Sequence, residues 1–441
     1  MAPSPVDSGV LGIIASRADD ASMAIAAALE EALPLVHEDP DRAVMDGLEL
    51  VRIDEPHVEM STPWRSFDRL PRAIIVCSRH RGNTGRVLTT HCVGNVGAAA
   101  LGGAPRTLGR APPWLHRALL AGLRAHAPPD YRVCSEATHH GPSPTMVPLL
   151  FVEIGSDARA WADPAAAAAV AAAIADVTET PTDGPKQFIA IGDGHYPEVV
   201  DPIIAGTDWA CGHQLPRWAL EELCATPQLA VDAAVRSHAP VALGLELPAA
   251  VAAALDAAGI RRVDAAFLRT TDGVTPAVLT AIEAQLGPIG AGVHIPPQRA
   301  DRPPQVVHQV DAAWLGRLVE RDLQALHAAY TPAVAVAPST GRALCVDRPA
   351  AAAVTARLLR LSTRVIGPTW ADATGVTVSI RRLDPARAEA AGVPEGPLFG
   401  RLAAGEAVVV DGRRVAPDRV HRTDRARYDP IRLQDISEGE Q

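Results

Sequence analysis

Glutamate and histidine side chains recur between residues 78 and 213 of this 441-residue chain, and the densest group is EATHHGP at 136–142. The candidate metal ligands and proton carriers are His80, His91, Glu136, His139, His140, Glu153, His195 and His213. Imidazole and carboxylate groups bind Zn²⁺ or a similar first-row ion, which can supply an activated water near neutral pH. These residue types therefore indicate a metal-assisted hydrolytic site.

The spacing of these residues does not by itself specify a metal site, because the chain has no H-E-x-x-H motif and no zinc-finger spacing. Taken alone, His80 fits a solvated loop histidine and His91 a core histidine bonded to a backbone carbonyl. His213 could merely precede a helix. Glu153 differs, because it lies within the apolar run LLFVEIGS and a buried carboxylate needs a partner or a metal. Together the pieces favour one shared site.

The adjacent pair His139 and His140 raises a geometric question. In extended backbone the two side chains point to opposite faces, so both reach one pocket only if the chain bends. Gly141-Pro142 directly after the pair permits such a bend. One histidine as ligand and the other as a supporting group is the expected division.

Short apolar strands alternating with helices must position these side chains, which predicts an α/β layered domain. In such sheets the polar residues just past the strand ends form the site, and most of the candidates occupy those positions. Strands are predicted at 10–15, 72–80, 86–97, 131–140, 149–156 and 186–196. Helices are predicted after Asp19 and at 113–126, 163–177, 215–223 and 226–238.

The composition changes towards the C-terminus, which suggests further organisation. We predict an α/β domain over 1–290, a Pro-rich linker at 291–305 and a C-terminal α+β extension over 306–441. The extension is predicted to hold a helix at 311–329, strands near 333–337 and 375–382, and a hairpin that turns at Asp411-Gly412.

Charge and cysteine content narrow the classes of function. A net charge of −10 argues against a broad nucleic-acid-coating surface and against DNA as the partner, but it leaves room for a local basic patch. Almost all the positive charge is arginine, since Lys186 is the only lysine. The six cysteines form no C-x-x-C pair and are interpreted as reduced thiols of a cytoplasmic protein. No signal peptide or membrane span is indicated.

A glycine-rich stretch, GNVGAAALGGAP at 94–105, could cradle a phosphate or a chain end with its exposed amides. It matches neither the P-loop nor the dinucleotide-binding pattern, so a tight turn is the alternative interpretation. Arginines such as Arg79 flank these loops and could contact phosphates.

The ordered series CSRH, TTHCVGNVGAAALGGAP, EATHHGPSP, FVEIGSDARAW, IGDGHY and CGH resembles the archaeal and plant type of D-aminoacyl-tRNA deacylase, from about residue 8 to about 270. The resemblance implies a three-layer α/β/α phosphorylase/hydrolase-like sandwich with a mixed sheet. It also implies hydrolysis of the ester between a D-amino acid and tRNA, with Zn²⁺ as cofactor. Carried over by position, it points to His80, His91, Asn95, His139, His140, Glu153, His195 and His213.

Roles follow from combining the residue chemistry with this resemblance. The catalytic residues are expected to be His139, His140, Glu153 and Glu136. The metal ligands are expected among His80, His91, His140, Glu153, His195 and His213. Substrate contacts are expected from Gly94, Asn95, Gly97, Gly102, Gly103 and Arg79.

Two other functions stay open at this point. One is a metal-dependent phosphorylase or amidohydrolase acting on a small molecule, and the other is a non-catalytic tRNA-binding protein with structural histidines. For the deacylase, the expected partner is D-aminoacyl-tRNA, with no DNA and no membrane, and the chain would be a monomer or small homo-oligomer. Residues 392–417 are also similar to a segment near the C-terminus of ribonuclease Z enzymes, which supports a hairpin module but no nuclease activity.

Overall fold

The computed structural model describes residues 9–180, 186–289, 293–296 and 303–436. The chain forms two compact units that divide after Asp272. The linker predicted at 291–305 lies partly outside the described residues, which do not include 291–292 and 297–302. The domain boundaries drawn from the sequence stay a prediction.

The first unit alternates strands and helices, as the apolar runs predict. Its strands are β1 Leu11–Ser16, β2 Val36–Asp39, β3 Arg42–Met45, β4 Leu48–Ile53, β5 Ala73–Arg81, β6 Val87–Cys92, β7 Gly94–Asn95, β8 Thr107–Leu108, β9 Arg132–Ser135, β10 Leu149–Ser156, β11 Lys186–Asp193, β12 Trp209–Pro216, β13 Val241–Gly244 and β14 Arg261–Val263. Its helices are α1 Asp20–Ala32, α2 Pro113–His126, α3 Ala158–Trp161, α4 Pro164–Val177, α5 Val200–Gly206, α6 Leu220–Ala225, α7 Gln228–Arg236, α8 Ala249–Ala257 and α9 Ala265–Thr270.

An eight-stranded sheet in the order β2-β3-β4-β1-β5-β10-β6-β9 forms the main layer of this unit. Strands β4, β1, β5 and β10 run parallel, whereas β6 pairs antiparallel to β10. The predicted α/β class and mixed sheet are therefore confirmed. Both sheet faces are covered, which explains why β1 and β6 are buried along their whole length.

Successive residues of the central strands serve two different cores, because side chains alternate between the faces of a sheet. Ile13 packs in the core formed with helices α1, α2 and α4. Its neighbour Ile14 packs in the opposite core, against Phe67 and Phe151. Asp19 caps α1 by accepting a hydrogen bond from the Ser22 N–H, as the sequence predicts.

A second, parallel sheet in the order β12-β11-β13-β14 completes the unit. Residues 136–140, which leave the end of β9, bridge the two sheets by backbone hydrogen bonds. The Ala137 N–H donates to the His195 carbonyl after β11, and the Thr138 N–H donates to the Gln214 carbonyl in β12, both over 2.8 Å. This bridging segment carries the predicted catalytic residues.

Two element predictions were wrong in this unit. The strand predicted at 131–140 ends at Ser135, because the backbone that follows pairs with the second sheet instead. The helix predicted from residue 215 begins at Leu220, since residues Trp209–Pro216 form strand β12. Pairing along β11 supplies partners that the mixed sequence WACGHQLP does not reveal.

The second unit is α+β. Its strands are β15 Val306–Gln309, β16 Ala333–Ala337, β17 Arg342–Cys345, β18 Thr369–Asp372, β19 Gly375–Leu383, β20 Val408–Val410, β21 Arg413–Val415, β22 His421–Tyr428 and β23 Arg432–Asp435. Its helices are α10 Pro276–Leu286, α11 Ala312–Arg321, α12 Leu323–Ala329, α13 Arg348–Val365, α14 Pro385–Ala390, α15 Pro397–Ala403 and α16 Pro417–Val420.

The predicted hairpin is present as β20 and β21, and both Asp411 and Gly412 have positive φ. The single helix predicted at 311–329 is divided at Asp322, whose extended φ of −160° ends α11 and whose carboxylate caps α12. Strand β19 pairs with β18 and β22 to form a three-stranded antiparallel sheet. Among the described helices of both units, none is long and apolar enough to cross a membrane.

Candidate active site

Two glutamates lie at the centre of the first unit. Glu153 is the middle residue of the buried strand β10, opposite Ser78 of β5 and Thr89 of β6. Glu136 is the first residue after β9, and its N–H donates to the Thr90 carbonyl over 3.1 Å. Their exposed fractions are 4% and 0%. Two carboxylates at this depth need compensating charge or a metal.

His80 supplies part of that compensation from the end of β5. Its Nδ1 lies 3.0 Å from Glu136 and 3.3 Å from Glu153, so one imidazole joins both carboxylates. Burial alone would lower the pKa of His80, but the two carboxylates outweigh it and raise the pKa to about 10. His80 is therefore an imidazolium at neutral pH, and its Nε2 lies 3.0 Å from the Tyr196 hydroxyl.

The same contacts keep both carboxylates ionised. Burial would raise the pKa of Glu153, but the side chains of His140, His80 and His91 around it hold the pKa well below the usual range. For Glu136 burial acts in the same direction, and hydrogen bonds from His195 and His80 lower its pKa instead. The site therefore retains two negative charges over the neutral pH range.

Three further histidines share one orientation. His91, His139 and His140 each donate Nδ1–H to a backbone carbonyl within two residues, over 3.1, 2.8 and 2.7 Å respectively. In their neutral forms this leaves each Nε2 with a free lone pair. Those Nε2 atoms face the carboxylates, at 3.6 Å from Glu153, 3.8 Å from Glu136 and 3.9 Å from Glu153. This is the arrangement in which a protein holds histidine as a metal ligand.

The bend anticipated around the histidine pair occurs at His140 itself, where φ is +43°. This left-handed residue turns both side chains to one side, with the ring centres of His139 and His140 4.4 Å apart. Both rings also approach His91, at 4.2 and 4.8 Å. Because the pair faces one pocket, both histidines are potential ligands.

His195 joins the cluster from the loop after β11. Its Nε2 lies 3.0 Å from Glu136, and its ring centre is 4.9 Å from that of His139. With 34% of its side chain exposed, it is the most accessible histidine of the group. The backbone bond from Ala137 to the His195 carbonyl holds the loop in place.

His213 does not join the cluster. Its Nε2 donates to the Gly109 carbonyl over 3.0 Å, and its Nδ1 lies 3.1 Å from the Thr138 hydroxyl. Burial lowers the pKa of His213 to about 4, so the ring is neutral. Since both nitrogens are occupied, we interpret His213 as a structural support for the bridging segment and omit it from the ligand set.

Three overlapping groups of donors could hold a metal ion. Within each group the donor atoms lie within 4.8 Å of one another. The groups are His91 with His139 and His140, Glu136 with His139 and His195, and His80 with Glu136 and Glu153. The fully buried Nε2 of His91 has no hydrogen-bond partner among the described residues, which is costly unless something binds it. Nitrogen and oxygen donors in this number suit Zn²⁺.

A cavity of about 600 Å³ opens onto these residues. Glu153, His80, His139, His140 and His195 all line it. The predicted Arg79 lines it as well, with its Nε 3.5 Å from the Asp19 carboxylate. The cavity therefore unites Arg79 with five of the eight candidate metal ligands and proton carriers.

Two cavity residues were missed by the sequence analysis, His57 and Ser78. His57 is buried, and its Nε2 lies 2.8 Å from the Ser78 hydroxyl, while its Nδ1 has no hydrogen-bond partner among the described residues. His57 comes from the 3₁₀ turn that follows β4, a strand that the sequence analysis did not predict, so no strand end drew attention to it. Ser78 lies opposite Glu153 on the neighbouring strand, and that register could have indicated it.

The glycine-rich loop serves mainly to shape the cavity wall. Asn95 donates from its amide to the Gly102 carbonyl over 2.9 Å, which closes the loop. A Cβ on Gly102 would lie 1.9 Å from the Val58 carbonyl oxygen, so only glycine fits there. Leu101, 62% exposed, is the loop residue that lines the cavity. The loop positions predicted to contact substrate are Gly94, Asn95, Gly97, Gly102 and Gly103, and such contact stays a prediction.

Comparisons with known proteins agree on one family. The model of the D-aminoacyl-tRNA deacylase family matches residues 67–259. The D-aminoacyl-tRNA deacylase of Halobacterium salinarum is 35% identical over 95% of this chain and 95% of its own. That of Haloarcula marismortui is 31% identical over 95% of this chain and 100% of its own. That of Methanoregula boonei is 30% identical over 79% of this chain and 82% of its own.

A solved structure supports the fold independently. The crystal structure of a conserved protein of unknown function covers 61% of this chain and 100% of its own, with a TM-score of 0.57 and 24% identity. At this identity the likeness shows the fold alone.

Proposed function

This chain belongs to the D-aminoacyl-tRNA deacylase family, and we propose that it hydrolyses the ester bond of D-aminoacyl-tRNA at the cluster of Glu136, Glu153 and their histidines. The observation that carries this assignment is the convergence of two buried, ionised carboxylates with five histidines beside one cavity. Glu153, His80, His139, His140 and His195 line that cavity. Ester hydrolysis needs a nucleophilic water, a proton acceptor and stabilisation of an oxyanion. The cluster has a group for each of these needs.

Glu153 is the proposed proton acceptor for the attacking water. It is ionised, it lines the cavity, and its strand neighbours fix its position. A carboxylate within hydrogen-bond reach of a water both orients the water and takes up the proton that it loses on attack. Glu136, which does not line the cavity, holds His80 and His195 in place.

Tyr196 and His195 are proposed to act on the oxyanion and on the leaving group, respectively. His80 donates from Nε2 to the Tyr196 oxygen, which frees the Tyr196 hydroxyl proton for another acceptor. Tyr196 is therefore the proposed donor to the developing oxyanion. His195, the most exposed histidine, passes a proton to the leaving ribose oxygen, so that the products are tRNA and the free D-amino acid.

Zn²⁺ is the proposed cofactor. The residues that would hold it are His91, His139 and His140, whose donor nitrogens lie within 4.8 Å of one another. His80 is left out because, as an imidazolium, it has no lone pair to offer. When bound, the ion would lower the pKa of a water molecule towards 7 and polarise the ester carbonyl. His139 is suited to this role because burial lowers its pKa well below the usual value, which keeps Nε2 unprotonated.

Discrimination between the two hands of the amino acid is proposed to act by exclusion. The cavity wall also includes Pro56, Val58 and Leu101. An L-amino acid placed with its ester at Glu153 would direct its side chain into a wall that the D form avoids, which raises the barrier for the wrong hand alone.

The finer fold assignment, a three-layer phosphorylase/hydrolase-like sandwich, is also proposed. It is supported by the mixed eight-stranded sheet with α1, α2 and α4 packed on one face. A cytoplasmic location and a monomer or small homo-oligomer are proposed in keeping with a tRNA substrate, and light scattering of the purified protein measures the second.

One assay tests the function. Purified protein is incubated with D-tyrosyl-tRNA or L-tyrosyl-tRNA, with and without a chelator, and its bound metal is measured by elemental analysis. We expect release of D-tyrosine, near-silence towards the L form, and loss of both zinc and activity after chelation. Equal rates on both forms would overturn the deacylase assignment, and full activity of metal-free protein would overturn the cofactor.

The same preparation separates the two alternatives. Hydrolysis of small amides or phosphorolysis of nucleosides without charged tRNA would identify a small-molecule enzyme. Full activity of a double His139→Ala, His140→Ala variant would show that the two histidines are structural. We expect neither result, because both side chains point their free Nε2 atoms into the cavity.

A further inference from the structure

One face of the three-stranded sheet in the second unit is open and rich in arginine. Strand β22 alternates along its length, so that Arg425 and Arg427 are exposed whereas Tyr428 packs towards the core formed around Val376 and Val378. The residues on the open face are Trp370, Thr377, Ser379, Arg381, Thr423, Arg425 and Arg427, and we call them the arginine face. Its side chains suit a polyanion better than a protein core.

The register of the sheet places these groups side by side. Arg427 lies directly opposite Thr377, and Trp370 lies opposite Thr377 on the other edge. Arg425 lies opposite Ser379. Neighbouring strands are about 4.8 Å apart and alternate residues about 7 Å apart, so the arginines and hydroxyls form one continuous surface.

The charges of Arg425 and Arg427 are not neutralised by ion pairs among the described residues. Arg427 donates to the carbonyl oxygen of Thr374 over 3.3 Å and to its hydroxyl, which orients the guanidinium without cancelling its charge. Arg381 does form an ion pair, with Asp418. Asp372 lies two residues after Trp370 on β18 and is an acidic residue of the same face, close to Arg427.

Trp370 adds an aromatic platform. It is 42% exposed, and the Arg425 guanidinium lies over its ring at 5.9 Å from the centroid. Exposed aromatic rings beside arginines are the combination that binds single-stranded and looped RNA, because bases stack on the ring while guanidinium groups bind phosphates.

The surface continues into a groove of about 510 Å³. Arg381 of the arginine face and Arg414 of strand β21 both line this groove, together with Asp418. The groove therefore extends the positive surface from the sheet to the β20–β21 hairpin.

The distribution of charge over the chain explains why this surface is needed. Residues 1–272 carry a net charge of −12, whereas residues 273–441 carry +2, with 20 arginines and no lysine. An acidic catalytic unit repels the phosphate backbone of its substrate, so an arginine surface in the other unit would add to the affinity.

We propose that the arginine face binds the phosphate backbone and an unstacked base of the tRNA substrate. This inference rests on the proposed function for the identity of the RNA. Binding of uncharged tRNA involves no catalysis, and it can therefore be tested separately from hydrolysis.

The test uses the full chain carrying Arg425→Glu and Arg427→Glu, and measures its affinity for fluorescently labelled uncharged tRNA. We expect at least about tenfold weaker binding at low salt, and a slope of log affinity against log salt that is smaller by about two. In hydrolysis of D-aminoacyl-tRNA, KM should rise by a similar factor while kcat is unchanged. The rate on a short D-aminoacyl-adenosine ester should equal that of the wild type.

A matched control makes the same change in charge elsewhere, with Arg348→Glu and Arg432→Glu at the β15–β23 region of the same unit. We expect the control to bind tRNA like the wild type. If the charge reversal disturbs folding, an Arg425→Gln, Arg427→Gln variant replaces it in the test. We expect this variant to lose less affinity for tRNA.

Three results would overturn the proposal. The first is wild-type affinity for tRNA in both variants of the arginine face, and the second is an equal loss of tRNA affinity in the control variant. The third is a loss of activity on the adenosine ester as large as the loss on D-aminoacyl-tRNA. Failure of the proposed function looks different. In that case the wild type would hydrolyse D and L esters equally, while the face variants would still lose affinity for tRNA.

Discussion

The two compact units of this protein differ in where their most distinctive charged groups lie, buried in the first unit and exposed in the second. In residues 1–272 two carboxylates and several histidines are buried within a few ångströms of one another. In residues 273–441 the dominant charged residue is arginine, and on the β19–β22 sheet it is exposed. The first unit buries this charged cluster, whereas the second exposes the arginines of its sheet.

This difference matches two physical tasks. A buried charge is costly, but its interactions are strong and its geometry is fixed, which suits bond cleavage. An exposed charge costs little and acts over a longer range, which suits binding a large polyanion. A chain that must bind a long RNA and break one ester therefore gains from placing the two tasks in separate units.

The most severe test of the buried cluster is Glu153→Gln. The amide has nearly the same shape but cannot take up a proton, so we expect kcat/KM on D-aminoacyl-tRNA to fall by about 1,000-fold. Single-turnover hydrolysis measures the change, and thermal unfolding checks the fold.

Glu49→Gln is the matched control for that variant. Glu49 is also a buried carboxylate of the main sheet, paired with Arg42 at 3.4 Å, but it does not line the cavity. We expect it to keep the wild-type kcat/KM. If both variants lost activity equally, burial rather than position in the cluster would explain the effect, and the contrast between the units would lose its meaning.

The next test concerns how stability depends on pH, and it uses one buried histidine outside the cluster from each unit. Burial lowers the pKa of His213 in the first unit and of His308 in the second to about 4. The unfolded chain, with a pKa near 6.5, then binds protons before the folded state does as pH falls. Each histidine contributes stability that is complete above pH 6.5 and is lost progressively towards pH 4.

Between pH 7.5 and pH 5 the expected loss is about 2 kcal/mol for each site. Urea unfolding at the two pH values measures it, and His308→Gln should reduce the loss by that amount. An unchanged pH dependence in His308→Gln would contradict the lowered pKa.

The smallest expected effects concern two helix caps, one chosen from each unit. Asp163 caps α4 and also accepts hydrogen bonds from the Tyr131 hydroxyl and Arg86, whereas Asp347 caps α13 by accepting from the Ala350 N–H alone. We expect Asp163→Ala to lower the free energy of unfolding by about 2 kcal/mol and Asp347→Ala by about 1 kcal/mol. Urea unfolding decides the order, and the reverse order would contradict this account.

Local patterns account for much of the fold. The limits of α2, Pro113–His126, coincide with the prediction because proline at the start and an apolar stripe are local signals. The turn at Asp411-Gly412 was predicted for the same reason. Strand β12 was missed because Gly212 and Pro216 weaken its pattern, and only pairing with β11 makes it a strand.

Some residues of the candidate site could likewise be recognised from the sequence, and others could not. Glu153 could be recognised from the sequence, since a carboxylate within an apolar strand already implies a partner. His57 could not, because it comes from a turn that reaches the cavity only in the folded chain. His213 looked like a ligand in the series, yet both of its nitrogens are used in hydrogen bonds.

The residue types of this chain determined by themselves the α/β class, the position of most strands and the chemistry that its buried carboxylate and histidines could perform. Tertiary structure decided which imidazoles face that chemistry, through the left-handed turn at His140 and the hydrogen bond that fixes each Nδ1. It also decided that Arg425 and Arg427 share an open face with Trp370. Apolar periodicity acts between neighbours in the chain, whereas the direction of a side chain depends on contacts made by residues that are distant in sequence.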